Sequence, residues 1–286
     1  MFKKLSLILF AFVLFFSCSQ QEAVMDGSGL TLNSVISVVD LPFTGPITIK
    51  QSQMFSGNVL RSVISSSVTL GGETQELSSV FLINLDENAI YIINDKRAEY
   101  VHLTFDEFNR MMAMERTIDD TLAPDLKLTL DKINRVDSEQ KEILTFGMCV
   151  PVDFELMLNS ETTPDYTSSF KGRMWMSENL KNSDLFISFQ KKSNAMMQSS
   201  VASNSIFFGL SGIFDLDENI MTKLNEAMSG IPVEAAFEIT MPSMNSVIKF
   251  GISQTLSDYN TADIDAGLMK VPDDYTQVSQ SEFMQF

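Results

Sequence analysis

The stretch Val80–Arg116, VFLINLDENAIYIINDKRAEYVHLTFDEFNRMMAMER, holds three short apolar-polar runs, two polar turns and the opening of a helix. Val80 and Leu82 alternate with Phe81 and Ile83, Asp86, Glu87 and Asn88 supply turn chemistry, and Ile90 to Ile93 resumes a β-rich run. A second turn, Asn94 to Arg97, leads into Tyr100–Leu103. Thr104 then stands three residues before Glu107, so each side chain can accept the other's backbone amide, with Leu103 and Phe108 spaced as a hydrophobic staple. The spacing predicts three antiparallel strands running into a helix that opens at Phe105.

Outward from this stretch the chain reads as more sheet. Leu30–Asp40, Gly45–Phe55 and Val59–Leu70 are β-rich and separated by Pro42, Gly45-Pro46 and Ser56-Gly57-Asn58, which predicts a meander continuing to Leu103. In Ile47, Ile49, Gln51 and Gln53 the apolar phase fades, so that face is expected to meet either solvent or a polar cavity wall. On the other side, Leu126, Leu128 and Leu130 alternate with polar residues, Glu142–Phe146 and Cys149–Leu158 pair around Gly147, and Phe170–Met176 adds a strand before a polar turn at Ser177–Asn182. Asp184–Ser205 mixes helical spacing (Leu185, Phe186, Phe189, Met196, Met197) with a serine-rich end. Asp215 and Glu218 are placed as the capping pair of a second helix near Asp217, which Gly230 and Pro232 end. Val233–Met241 and Val247–Leu256 then form a closing hairpin, and Val271–Tyr275 a last turn.

A hydrophobic share of 44% in 286 residues is enough for a real core. The formal charge is -17, and loss of a leader carrying Lys3 and Lys4 takes it to -19. Such a surface repels phosphate backbones and anionic headgroups, so neither nucleic acid nor an electrostatically held membrane is expected as a partner.

Residues 1–17 have a basic start and an apolar run, Leu5 to Phe16, too short to cross a hydrocarbon layer of about 30 Å. With Ser17 before Cys18, this segment resembles the lipobox leader of bacterial lipoproteins, in which the cysteine becomes the lipidated N-terminus. That resemblance implies a membrane anchor at Cys18 and, since Ser19 is not an inner-membrane-retaining aspartate, the outer membrane as address. Residues 18–29 then read as a polar tether, and residues 30–286 as one β-rich domain.

Catalytic chemistry has little to stand on. Cys149 is left without a cysteine partner, and a nucleophile-base pair with the single histidine, His102, requires two distant β-runs to meet. Asp215, Asp217, Asn219 and Glu226 fall at calcium-loop positions, but Ile220 stands where the loop needs glycine, and a helix N-terminus explains the acids. No zinc-spaced set, phosphate loop or nucleophile elbow is present, so neither metal, cofactor nor enzymatic activity is expected. Methionine is abundant, at 18 residues. Flexible thioethers fill irregular cores, but Met-rich walls also repack around varied apolar ligands. Phe105, Phe108, Met112, Met174, Met176, Met221 and Met228 are accordingly the candidate lining of an apolar cavity.

The ordered set of Arg61, Ile90–Asn94 with Tyr100, Gly147-Met148-Cys149, GRMWMSENL (Gly172–Leu180), Gly230–Val233 and Val271–Tyr275 resembles a family of exported bacterial proteins, the domain of unknown function 4412, itself similar to the LolA/LolB-like lipoprotein carriers. The resemblance implies a mainly β (α+β) fold, an open antiparallel half-barrel wrapped round a few helices, with an apolar interior that takes lipid chains. The expected function is non-enzymatic binding of a hydrophobic ligand or lipidated partner. The alternatives are a structural or adhesion lipoprotein with a filled core and, behind it, an envelope hydrolase.

Overall fold

The computed structural model describes residues 29–40, 45–70, 73–108, 110, 126–160, 167–197, 223, 227, 230–243 and 246–283. The described chain is mainly β, and its strands make one large open sheet. Its first half is a meander: β1 (Leu30–Val39), β2 (Ile47–Ser56), β3 (Val59–Leu70), β4 (Glu73–Asn84), β5 (Ala89–Asn94) and β6 (Glu99–Thr104) pair in sequence order, each antiparallel to the last. The second half comprises β7 (Leu126–Arg135), β8 (Lys141–Ile143), β9 (Gly147–Ser160), β10 (Thr167–Ser177), β11 (Ile231–Ser243) and β12 (Ser246–Asn260). The halves join where β1 pairs with β12, from Thr31 opposite Asn260 to Val39 opposite Gly251, with a bulge at Asn33/Ser34.

Alternation decides which face is the core. In β1 every second residue from Leu30 to Val38 is buried, and the same phase holds along β2 from Ile47 to Phe55. The second half buries Val152, Phe154, Leu156, Phe170, Met174 and Phe237 in the same cluster. Gly172 is required there: a Cβ at that position would strike the Ala236 carbonyl and the Phe237 ring, and the space it leaves lets the Phe154, Phe170 and Phe237 rings gather at centroid distances of 5.3 to 5.6 Å.

The residues around Phe105 form as their spacing predicts. The Thr104 amide donates to Glu107 Oε2 at 2.8 Å, the Glu107 amide donates to Thr104 Oγ1 at 3.2 Å, and Leu103, Phe105 and Phe108 are all in the core. Residues 105–108 are helical. The ambiguous segment after Asn182 resolves as a helix, Ser183–Met197, laid against β1 and β2. The second helix expected near Asp217 lies outside the described residues, apart from helical backbone at 223 and 227.

On the outer face a smaller cluster, Val80, Leu82 and Ile93, is covered by Val271 and Tyr275 of the C-terminal segment. That segment runs β13 (Thr276–Gln277) parallel to β6 and is pinned by Tyr275 OH donating to Asp95 at 3.0 Å and by the Arg97 guanidinium over the Phe283 ring.

The capping pair carries a prediction. Hydrogen bonds from Thr104 hold the Glu107 carboxyl below its ordinary value of 4.5, so its contribution to stability is present above that value and lost as pH falls through the lowered folded value. Thr104→Ala should lower stability by about 1 kcal/mol near neutral pH. The gap in urea midpoints between wild type and variant should narrow, without closing, as pH falls through the lowered value of Glu107, because the bond from the Glu107 amide to Thr104 Oγ1 does not titrate, and a gap independent of pH would contradict the pairing of the two side chains.

Candidate functional site

The inner face of the sheet carries a diagonal of uncharged polar residues across its middle. Gln254 of β12, Ser34 of β1, Gln51 and Gln53 of β2, and Ser62 of β3 all point inward and are at least nine-tenths buried. The registers explain the diagonal: Ser34 lies opposite Leu256 and Gln51, Gln53 lies opposite Ser62, and Gln254 is one step along, opposite Ile36. Gln51 Nε2 donates to Ser62 Oγ at 3.1 Å, closing one pair within the stripe. The fading apolar phase of β2 therefore marks a polar interior wall, since Gln51 is 3% and Gln53 9% exposed.

The helix Ser183–Met197 roofs this stripe. Phe186 and Phe189 meet the Phe55 ring edge-on at 5.3 and 5.5 Å, and Lys192 Nζ donates to Asn58 Oδ1 at 2.7 Å at the turn between β2 and β3. Phe186, Gln190 and Ser193 stand at i, i+4 and i+7, so one face of the helix carries both ring and polar groups. Gln190 and Ser193 are 1% and 0% exposed, and neither the Gln190 amide nor the Ser193 hydroxyl has a hydrogen-bond partner among the described residues. Gln254 Oε1 is likewise without one. Burial without a partner costs about 1 to 3 kcal/mol per group, so this interface holds through its rings and against its polar atoms.

Between helix and stripe lies a pocket of about 20 Å³ bordered by Ser34, Gln51, Gln53, Gln254, Phe186 and Pro232 among others. It has room for one group the size of a water molecule. Gly230, with φ +98°, lets the chain enter β11 directly against the Ser177 backbone, where a Cβ would collide, and so brings Ile231 and Pro232 to the pocket edge.

Of the residues expected to line a cavity, Phe105, Phe108, Met174 and Met176 are 1%, 7%, 0% and 1% exposed and belong to the main core. Met112, Met221, Met228 and Cys18 lie outside the described residues, as do Asp215, Asp217 and Asn219. Ser34, Ser62, Gln190, Ser193 and Gln254 were not singled out by the sequence. Three of them share the signal that marked Gln51, a polar residue in the buried phase of a strand: Leu32-Ser34-Ile36, Leu60-Ser62-Ile64 and Ile252-Gln254-Leu256.

Cys149 and His102 are not brought together. Cys149 is buried on β9, where burial pushes its thiol above the ordinary value, while His102 is exposed on β6 with eight strands between them in the sheet, stacked on Tyr91 at 5.0 Å. The Tyr91 hydroxyl is pushed up to about 12 by desolvation and by its 3.0 Å hydrogen bond to Glu87. On the outer face of β9 to β11, Arg173 grips Asp153 through Nε and Nη2 at 2.6 and 2.9 Å, holding that carboxyl below the usual range, and Lys141 sits over Trp175 at 4.1 Å while pairing with Glu234. These are pairings of a charged sheet surface. Among the described residues no group of His, Cys, Asp and Glu is placed to hold a metal, and no helix is long and apolar enough to cross a membrane.

No protein-family model and no curated protein matches the chain. Two solved structures resemble it loosely. A porin-like protein from Bacteroides uniformis has 8% identity and a TM-score of 0.27, over 84% of this chain and 99% of that one. A Bacteroides fragilis protein with a YmcC-like fold, described as exported, has 11% identity and a TM-score of 0.21, over 84% of this chain and 97% of that one. Similarity at this level establishes neither a shared fold family nor a shared function.

The roof interface can be dissected by substitution. Phe189→Ala should cost about 3 to 5 kcal/mol, while Ser193→Ala, which removes a hydroxyl without a partner, should be neutral or stabilising. Urea midpoints decide the matter, and a Ser193→Ala loss as large as that of Phe189→Ala would show that the hydroxyl is paired.

Proposed function

We propose that the chain is an envelope lipoprotein, anchored to the outer membrane through lipid on Cys18, that binds a hydrophobic ligand or the acyl chains of a lipidated partner inside its sheet. It acts by binding and not by catalysis, as the LolA/LolB-like resemblance implies. The observation that carries this proposal is the interface between the Ser183–Met197 helix and the sheet. The helix Ser183–Met197 lies there over an apolar face, ring against ring, and Gln190 and Ser193 on its buried side have no hydrogen-bond partner among the described residues. Such a roof is cheaper to lift than an all-apolar one, and an acyl chain offers Phe55 the same kind of contact that Phe186 and Phe189 now give. Phe105, Phe108, Met174 and Met176 would be walls of the opened interior, with Met112, Met221 and Met228 as the further candidates.

A second reading, a structural or adhesion lipoprotein with a filled core, is favoured by one observation, the 20 Å³ size of the pocket under the helix. Binding of an uncharged apolar fluorophore, N-phenyl-1-naphthylamine, and urea midpoints, measured for wild type and Met174→Ala, separate the two. A ligand-taking interior predicts saturable probe binding whose affinity changes in Met174→Ala. A filled core predicts no binding by wild type and a stability loss of about 2 to 5 kcal/mol in the variant.

A further inference from the structure

Among the described residues the buried interior is polar in places but not charged. All ten buried polar side chains among the described residues are serine or glutamine. Four of these, Ser34, Gln51, Gln53 and Gln254, border the small pocket beneath Phe186, and Gln254, 8% exposed, has an Oε1 without a hydrogen-bond partner among the described residues. A glutamine in this position of an apolar strand phase leaves an acceptor inside the protein that only something else can satisfy.

Resting on the proposed binding of a hydrophobic ligand, we infer that the interior selects an acyl or alkyl chain headed by an uncharged hydrogen-bond donor, an amide or a hydroxyl, and that Gln254 Oε1 accepts from it. The pocket as it stands has room for a hydroxyl head, an amide head needing the roof raised, and the apolar faces of Leu32, Leu256 and Ile231 beside it suit the first carbons of the chain. A carboxylate or phosphate head would enter a site with no buried lysine, arginine or histidine among the described residues to meet it, and an uncompensated buried charge is far costlier than a neutral dipole. A bare hydrocarbon would offer Gln254 Oε1 no donor.

The test uses the full chain and displacement of a bound uncharged apolar fluorophore, N-phenyl-1-naphthylamine, by dodecanamide, 1-dodecanol, dodecanoate and dodecane at pH 8. Gln254→Met is the variant, because it keeps length and apolar contact and removes only the amide, whose unpaired end does not support the fold. The amide and the alcohol should displace the probe at concentrations about tenfold below those needed for dodecanoate, equivalent to about 1.4 kcal/mol. In Gln254→Met their advantage over dodecane should disappear. Dodecanoate competing as well as the neutral compounds would overturn the inference, and so would a neutral-head preference that Gln254→Met retains. Either result leaves ligand binding itself standing. Absence of probe binding by wild type would instead remove the proposed function, and this inference with it.

Discussion

The pairing of β1 with β12 is the constraint on which the rest depends. Two meanders, each formed from neighbours in sequence, become one sheet only because Thr31 to Val39 finds Asn260 to Gly251. Closing so long a loop is entropically costly, and it is repaid by a shared inner face on which β1, β2, β11 and β12 bury one apolar phase. A one-residue slip would turn that whole phase outward, so the register is strongly fixed. The bulge at Asn33/Ser34 lies within this join, next to the residue that begins the polar stripe on β1.

The stripe is a consequence of that register. Ser34 and Gln51 face each other within the first meander, the join adds Gln254 of β12, and the three align into a band that no single strand contains. The band lies under the helix because the chain between β10 and β11 returns across β1 and β2, with Asn182 donating to the Gly29 carbonyl at 3.4 Å and Lys192 tied to Asn58. The interface thus combines strong contacts, the rings on Phe55, with weak ones, Gln190 and Ser193, which have no hydrogen-bond partner among the described residues. A fully satisfied polar network would stiffen the roof, and an apolar one would seal it. This one does neither.

Much of the architecture was legible because it is local. The strands before Phe105, their turns and the Thr104–Glu107 cap are written in alternation and three-residue spacing, and Gln51 and Gln53 left open solvent or a polar wall, which burial decides for the wall. Glu73 to Ser79, the first part of β4, is polar apart from Leu77 and carries no alternation of its own; it falls within the sheet expected from Leu30 to Leu103, and β3 supplies its ladder. The helix Ser183–Met197 was blurred because Gln190 and Ser193 occupy its buried face and weaken the apolar stripe that would have declared it. The two-residue strand β13 carries no periodicity at all, and its place beside β6 is set by Tyr275, Asp95 and the outer apolar cluster. Partner choice between β1 and β12, both simply alternating, belongs to the whole fold and not to either segment.

Amide hydrogen exchange of the helix Ser183–Met197 tests the central claim most directly. A roof held by rings over unpaired polar groups should open on its own, so its amides should exchange at a free energy clearly below that of β1, β2 and β12. Exchange of the helix only in step with those strands, through global unfolding, would show a sealed core and contradict the account.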